Sequence, residues 1–245
     1  MMVMKQVDKY SFFTSSDVEI RKSSAFLLPS EYKIIILNIE EKIHNILKDN
    51  LLLFSLVGSC QFETCIPKWS DIDILIIVKK LNKETMLFLN QQADLYRYHI
   101  GISVFSQKSI ETCSIDFKTQ LYLYQMKFGR IKPQFFSEDL TIIVEDIEKL
   151  IKDAIVLEKE NIFALRRNIY YKSPNIKLCF KLIINILKDE LLKKYIICSS
   201  LNDVWKYSLS ILNINLNDYI KIENIPFIKL TNLIRLGEFV LNKYE

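Results

Sequence analysis

Residues 51–78 read LLLFSLVGSCQFETCIPKWSDIDILIIV, and this stretch decides the fold. Leu51–Val57 is too short and apolar for a helix of its own and reads as a buried strand. Gly58-Ser59 follows at once. The whole chain holds only four glycines, so one at a strand end meets a backbone need, a positive φ or the close approach of another group. Eleven residues further on, Asp71-Ile72-Asp73 opens a second apolar run that ends at Val78, before Lys79-Lys80. Residues two apart in a strand point the same way. Asp71 and Asp73 therefore project together, and Ile72, Ile74 and Ile76 face the core.

Outward from this hairpin the pattern alternates. Upstream, Pro29-Ser30 opens a helix with Ser30 as expected N-cap. Its apolar residues are Ile35, Ile39, Ile43, Ile46 and Leu47. Downstream, Lys83–Gln92 reads as a helix and Tyr98–Phe105 as a half-buried strand with His99, Gly101 and Ser103 on its polar face. A short helix over Ser106–Ile110 and another over Thr119–Lys127 follow, and residues 128–133 turn the chain away. From Leu140 the pattern is helical only. Ile147, Leu150, Ile151, Ala154 and Leu157 fall on one stripe. Ser173-Pro174, Asn202 and Pro226 are the expected starts of three more amphipathic helices, which together make a bundle. The predicted fold class is α+β: a small mixed sheet with flanking helices over 30–140, then an all-α bundle over 141–245. Residues 1–29 form an N-terminal arm, in which Tyr10–Phe13 reads as a short strand or a segment lying against the body.

Composition narrows the function classes. Half of the 245 residues are apolar, enough for a substantial core without covalent staples. A net charge of +4 is too mild to argue for nucleic acid and suits an anionic small molecule. The five cysteines show no CxxC spacing, and two histidines are too few to complete a zinc set. They read as reduced thiols in a cytoplasmic protein, with a nucleophilic Cys60 or Cys65 the minority reading. No apolar run reaches the ~18 residues of a membrane span.

The chemistry lies in the aspartates. Two ionised carboxylates about 5 Å apart repel by roughly 3 kcal/mol at an effective dielectric of about 20. A divalent cation removes that cost. Oxygen ligands favour Mg²⁺ or Mn²⁺, and Mg²⁺ binds through one or two carboxylates plus substrate phosphates. Gly58-Ser59 supplies the phosphate half if a helix starts after Ser59.

Gly58-Ser59 followed at this distance by Ser70-Asp71-Ile72-Asp73 resembles the signature of the polymerase-beta-type nucleotidyltransferase superfamily. That superfamily includes aminoglycoside and lincosamide nucleotidyltransferases and the minimal nucleotidyltransferases of toxin–antitoxin systems. The resemblance covers about residues 33–105. The helical half is similar to HEPN-like bundles in architecture alone. What it implies is in-line attack of a hydroxyl on the α-phosphorus of a nucleoside triphosphate, with release of pyrophosphate. Gly58, Ser59 and Ser70 would bind nucleotide, and Asp71 and Asp73 would be the catalytic metal carboxylates. The family's third carboxylate has no counterpart on the strand bearing His99, Gly101 and Ser103. His99 is then the expected catalytic group there, and Glu111, Asp116 and Glu138 are further candidates for the base. Gln61, Phe62 and Glu63 stand where an arginine-glycine pair is usual.

The expected activity is thus transfer of AMP from ATP, or another NMP, to a hydroxyl of a small molecule or protein. The alternative is a nucleotide-binding or antitoxin-like module without turnover. A nucleic-acid polymerase is disfavoured by the slight charge. The bundle is expected to wall the cleft and select the acceptor. It lacks the RxxxxH pattern of HEPN ribonucleases, and both histidines lie outside it. The pattern leaves open whether one chain or a homodimer builds the cleft.

Overall fold

A computed structural model describes residues 28–61, 65–66, 69–96 and 99–244. The N-terminal arm up to residue 27 and the readings on Phe62, Glu63 and Tyr98 lie outside these residues. The chain splits into two compact units, with the division between Glu145 and Asp146.

The first unit is built on a sheet. Its elements are α1 (Ser30–Leu47), β1 (Leu51–Val57), β2 (Ile72–Val78), α2 (Lys83–Asp94), β3 (Ile100–Ser106), α3 (Gln107–Glu111), α4 (Phe117–Lys127) and β4 (Phe135–Phe136). The sheet order is β3-β2-β1-β4. β1 runs antiparallel to β2 and β4, and β2 runs parallel to β3, so the sheet is mixed as the sequence predicts. β4 is a strand the sequence reading lacks. Two residues carry no periodicity, and only pairing with Leu53 and Phe54 makes them a strand.

Both faces of the sheet are covered. Ile72, Ile74 and Ile76 pack with Phe54, Leu56 and the buried stripe of α1. Leu75 and Ile77 pack on the other face with Leu53, Val57, Leu123 and Met126. The face that carries Asp71 and Asp73 therefore runs straight into core, and the carboxylates sit at its edge. The α1 stripe is Tyr32, Ile36, Ile39, Ile43 and Leu47, while Ile46 is exposed, one helical face away from the expected set. His44 stacks edge-on against Phe135 with centroids 4.7 Å apart. Asn50 clamps the hairpin's base, donating to the Lys80 carbonyl and accepting from its N–H.

The second unit contains α5 (Ile147–Ile169), α6 (Ile176–Leu192), α7 (Leu201–Ser210) and α8 (Leu230–Tyr244). Its helix starts correct the sequence reading at three points. Asn175, not Ser173, caps α6 by accepting from the Leu178 N–H. Ser200, not Asn202, caps α7, and Asp203 completes a capping box. Pro226 lies inside a 3₁₀ segment, Ile222–Phe227, and α8 begins later. In the first unit Ser30 is already helical, with Pro29 at the cap position and no side-chain cap. Tyr170 and Tyr171 stand exposed just past the end of α5 at Ile169. Among the described residues, no helix is long and apolar enough to cross a membrane.

Candidate functional site

The ends of β1, β2 and β3 bring the predicted residues together. Val57 pairs with Asp73 across β1–β2, and Asp73 pairs with Gly101 across β2–β3. Asp73 is thus level with Gly101 on one side and with Val57, the residue before Gly58, on the other. Gly58 adopts φ +67°, the left-handed backbone its place at the strand end suggested. A Cβ added at Gly58 would stand 2.6 Å from Asp73 Oδ2, and one at Gly101 would stand 3.0 Å from Asp73 Oδ1. The carboxylate occupies a cradle that exists because both neighbours lack side chains.

Asp71 lies immediately before β2, two residues from Asp73. Its side chain is 14% exposed against 29% for Asp73. His99 Nδ1 is 3.8 Å from Asp71 Oδ1, an ion-pair distance rather than a hydrogen bond, and the imidazole is 77% exposed. His99 falls just ahead of β3. Its carbonyl accepts from the Ile72 N–H at 3.0 Å, which fixes the two strand starts side by side.

The Gly58-Ser59 turn differs from expectation. Residues Gly58–Gln61 form one 3₁₀ turn, not the start of an α-helix. Ser70 fastens the other arm of the hairpin. Its hydroxyl accepts from the Ile66 N–H at 2.9 Å, and its carbonyl accepts from the Tyr32 hydroxyl at 3.1 Å. Trp69 N–H donates to the Ile66 carbonyl within the same turn.

Two residues missed in the sequence join the site. Lys118, in the first turn of α4, holds Nζ 3.9 Å from Asp73 Oδ2 and is 63% exposed. The same ammonium lies 5.6 Å from the centre of the Tyr122 ring. Burial pushes the Tyr122 phenol up, and the charges of Asp73 and Asp116 push it further. Asp116 is therefore close in electrostatic terms, but its carboxylate is already engaged. It caps α4, accepting from Thr119 N–H at 3.0 Å and Thr119 hydroxyl at 2.7 Å. That cap, Asp-x-x-Thr, was the available signal for where α4 starts and so for Lys118. Glu111 and Glu138 are both exposed, and no bond of theirs to the site residues is seen.

Cys60 and Cys65 lie in the loop between the two halves. Their sulfurs are 3.2 Å apart, and Cys60 also donates to the Asp71 carbonyl at 3.3 Å. Cys60 keeps its proton: the hydrogen bond to Cys65, then burial, push its thiol well up. The hydrogen bond it shares with Cys60 pulls Cys65 below the usual thiol range.

A metal fits part of this arrangement. Two carboxylates two residues apart at the start of β2, one held in a built cradle, match the oxygen-only, two-carboxylate demand of Mg²⁺ with phosphates completing the shell. Among the described residues, no group of three or more His, Cys, Asp or Glu is placed to hold an ion. Level with Asp73 on β3, where a third carboxylate would lie, stands Gly101.

No protein-family model matches the sequence, and no curated protein matches it. The fold is similar to that in a crystal structure of spectinomycin adenyltransferase AAD(9) from Enterococcus faecialis with ATP and spectinomycin. The TM-score is 0.57 at 15% identity, over 86% of this chain and 98% of that one. At that identity the likeness concerns the fold, and the chain accordingly has an α+β architecture of the kind found in a nucleotidyltransferase.

Proposed function

We propose that this protein is a metal-dependent nucleotidyltransferase that moves an NMP, AMP from ATP in the first instance, to a hydroxyl of a small molecule or protein. The observation that carries the reading is the seat of Asp73 between Gly58 and Gly101, with Asp71 beside it. Glycine at both flanks is costly to a strand and turn unless something must come close. The similar fold of an adenyltransferase solved with ATP supports the same reading.

Asp71 and Asp73 would hold Mg²⁺ or Mn²⁺, which would clamp the attacking and leaving oxygens. Gly58 keeps a side chain out of the space beside the Asp73 carboxylate, so that a triphosphate can approach. The N–H groups of the Gly58–Gln61 turn and the Ser59 hydroxyl are its donors. Lys118 brings a cation to the same edge and would offset phosphate charge. His99, next to Asp71 and open to solvent, is the group available to take the acceptor's proton. The likeness of the helical unit to HEPN bundles is proposed on architecture alone, and a homodimer-shared cleft is a proposal of the same standing.

The test is transfer from α-labelled NTPs to a panel of hydroxyl acceptors with and without Mg²⁺, for wild type, Asp71→Asn, Asp73→Asn and His99→Ala. Transfer that needs Mg²⁺ and both aspartates is expected. Turnover that survives either aspartate substitution would refute the mechanism. A second reading is favoured by Gly101 in particular. With no acid beside Asp73 on β3, the chain would bind nucleotide as a regulatory or antitoxin-like module. Nucleotide binding without pyrophosphate release across the panel would select it.

A further inference from the structure

We propose that Cys60 and Cys65 are an oxidation site that closes to an intramolecular disulfide and thereby weakens the neighbouring Asp71 site. The sulfurs already touch at 3.2 Å, inside ordinary sulfur–sulfur contact. A disulfide needs about 2.05 Å, a closing of roughly 1.1 Å. The two thiols are unequal in a way that suits stepwise oxidation. Cys65 is half-buried in an irregular segment and can be reached from solvent, while Cys60 is 0% exposed. Cys60 lies in the short turn that continues β1, and β1 is fixed on both edges by β2 and β4. Cys65 is therefore the sulfur that moves.

A hydroperoxide is the oxidant class the site would meet. The Cys65 thiolate attacks the peroxide O–O bond and becomes a sulfenic acid, and the other oxygen leaves as hydroxide or alkoxide. The Cys60 sulfur then displaces that hydroxyl, losing its own proton, and water departs. With hydrogen peroxide, two thiols and one peroxide yield one disulfide and two waters. A dithiol reverses the step by exchange.

The structural consequence runs through Asp71. In the reduced state the Cys60 S–H donates to the Asp71 carbonyl at 3.3 Å. Closing the disulfide removes that proton, so the carbonyl loses this donor. Cys65 is drawn away from the position it shares with Ile66 and Ser70, whose mutual hydrogen bond holds the start of Asp71-Ile72-Asp73. The disulfide rests on thiol geometry alone. Its effect on nucleotide rests on the function proposed above.

The experiment treats the full chain with hydrogen peroxide, then alkylates and maps peptides, with and without dithiothreitol recovery. The expected result is loss of two hydrogens, a Cys60–Cys65 cross-link that dithiothreitol reverses, and no such link in Cys65→Ser. Alkylation of both as free thiols, or over-oxidation of Cys65 without a link, would overturn the proposal. Because the mapping is done on wild type, it does not depend on how the variant folds. Mg²⁺–ATP titration supplies the second readout: affinity falls at least roughly tenfold on oxidation of wild type and is unchanged in peroxide-treated Cys65→Ser. Unchanged affinity in cross-linked wild type overturns the coupling to Asp71. Absence of nucleotide binding in the reduced protein instead refutes the nucleotide reading and leaves the cross-link result standing.

Discussion

Substituting Gly58 by alanine should damage the site in two separable ways. At φ +67° a non-glycine residue costs about 1–2 kcal/mol of backbone strain. The added methyl would stand 2.6 Å from Asp73 Oδ2, so the carboxylate must shift by most of an ångström toward open solvent or toward Gly101. A carboxylate moved that far no longer shares an ion with Asp71. Urea unfolding should therefore show a loss of about 1–2 kcal/mol, while Mg²⁺–ATP affinity should fall by well over tenfold. Gly101→Ala separates the effects. Its φ is not in the left-handed region, and its methyl would meet Asp73 Oδ1 at 3.0 Å. It should lower affinity with a smaller change in stability. Gly58→Ala that folds and binds Mg²⁺–ATP like wild type would refute the idea of a cradle.

Two other perturbations read other parts of the molecule. Lys118→Ala should weaken nucleotide binding by about 1 kcal/mol, roughly fivefold in Kd, and should reduce the salt dependence of binding, since the ammonium is exposed. Asp189, buried on α6 with Asn161 donating to it and Glu190, Lys188 and Lys193 nearby, is pushed up to about 7 by burial. The native state then holds a proton that the unfolded chain has released between about pH 4 and 7. Stability should fall through that window, by at most about 1.4 kcal/mol per pH unit, and level off above it. Asp189→Asn should reduce the slope of the profile, with Glu158, also pushed up to about 7 by burial, supplying the remainder, as measured by urea midpoints from pH 5 to 8.

The sheet was legible where the chain states its own period. Leu51–Val57 and Ile72–Val78 are apolar runs bounded by a glycine and by an aspartate pair, and both are strands at the expected residues. The side-by-side aspartates follow from the two-residue repeat of a strand. What the sequence hid was non-local. Nothing near Lys118 names Asp73 as its partner, and nothing near Phe135 announces a strand. The glycine cradle required the β2–β3 register, which only the folded sheet sets. Caps were hidden for a different reason. Ser173, Asn175, Ser200 and Asn202 are all competent acceptors, and selection among neighbours depends on which N–H the chain finally presents. The cysteine pair was visible as two thiols five residues apart, but their contact depends on how the hairpin loop returns.

The central claim is that the face bearing Asp71 and Asp73 holds a metal–triphosphate. Calorimetric titration of ATP into wild type, Asp71→Asn and Asp73→Asn, each with and without Mg²⁺, tests it most directly. The account predicts saturable binding in wild type that needs Mg²⁺ and is lost in both variants while their unfolding midpoints stay near wild type. Binding that is indifferent to Mg²⁺ and to both substitutions would contradict it.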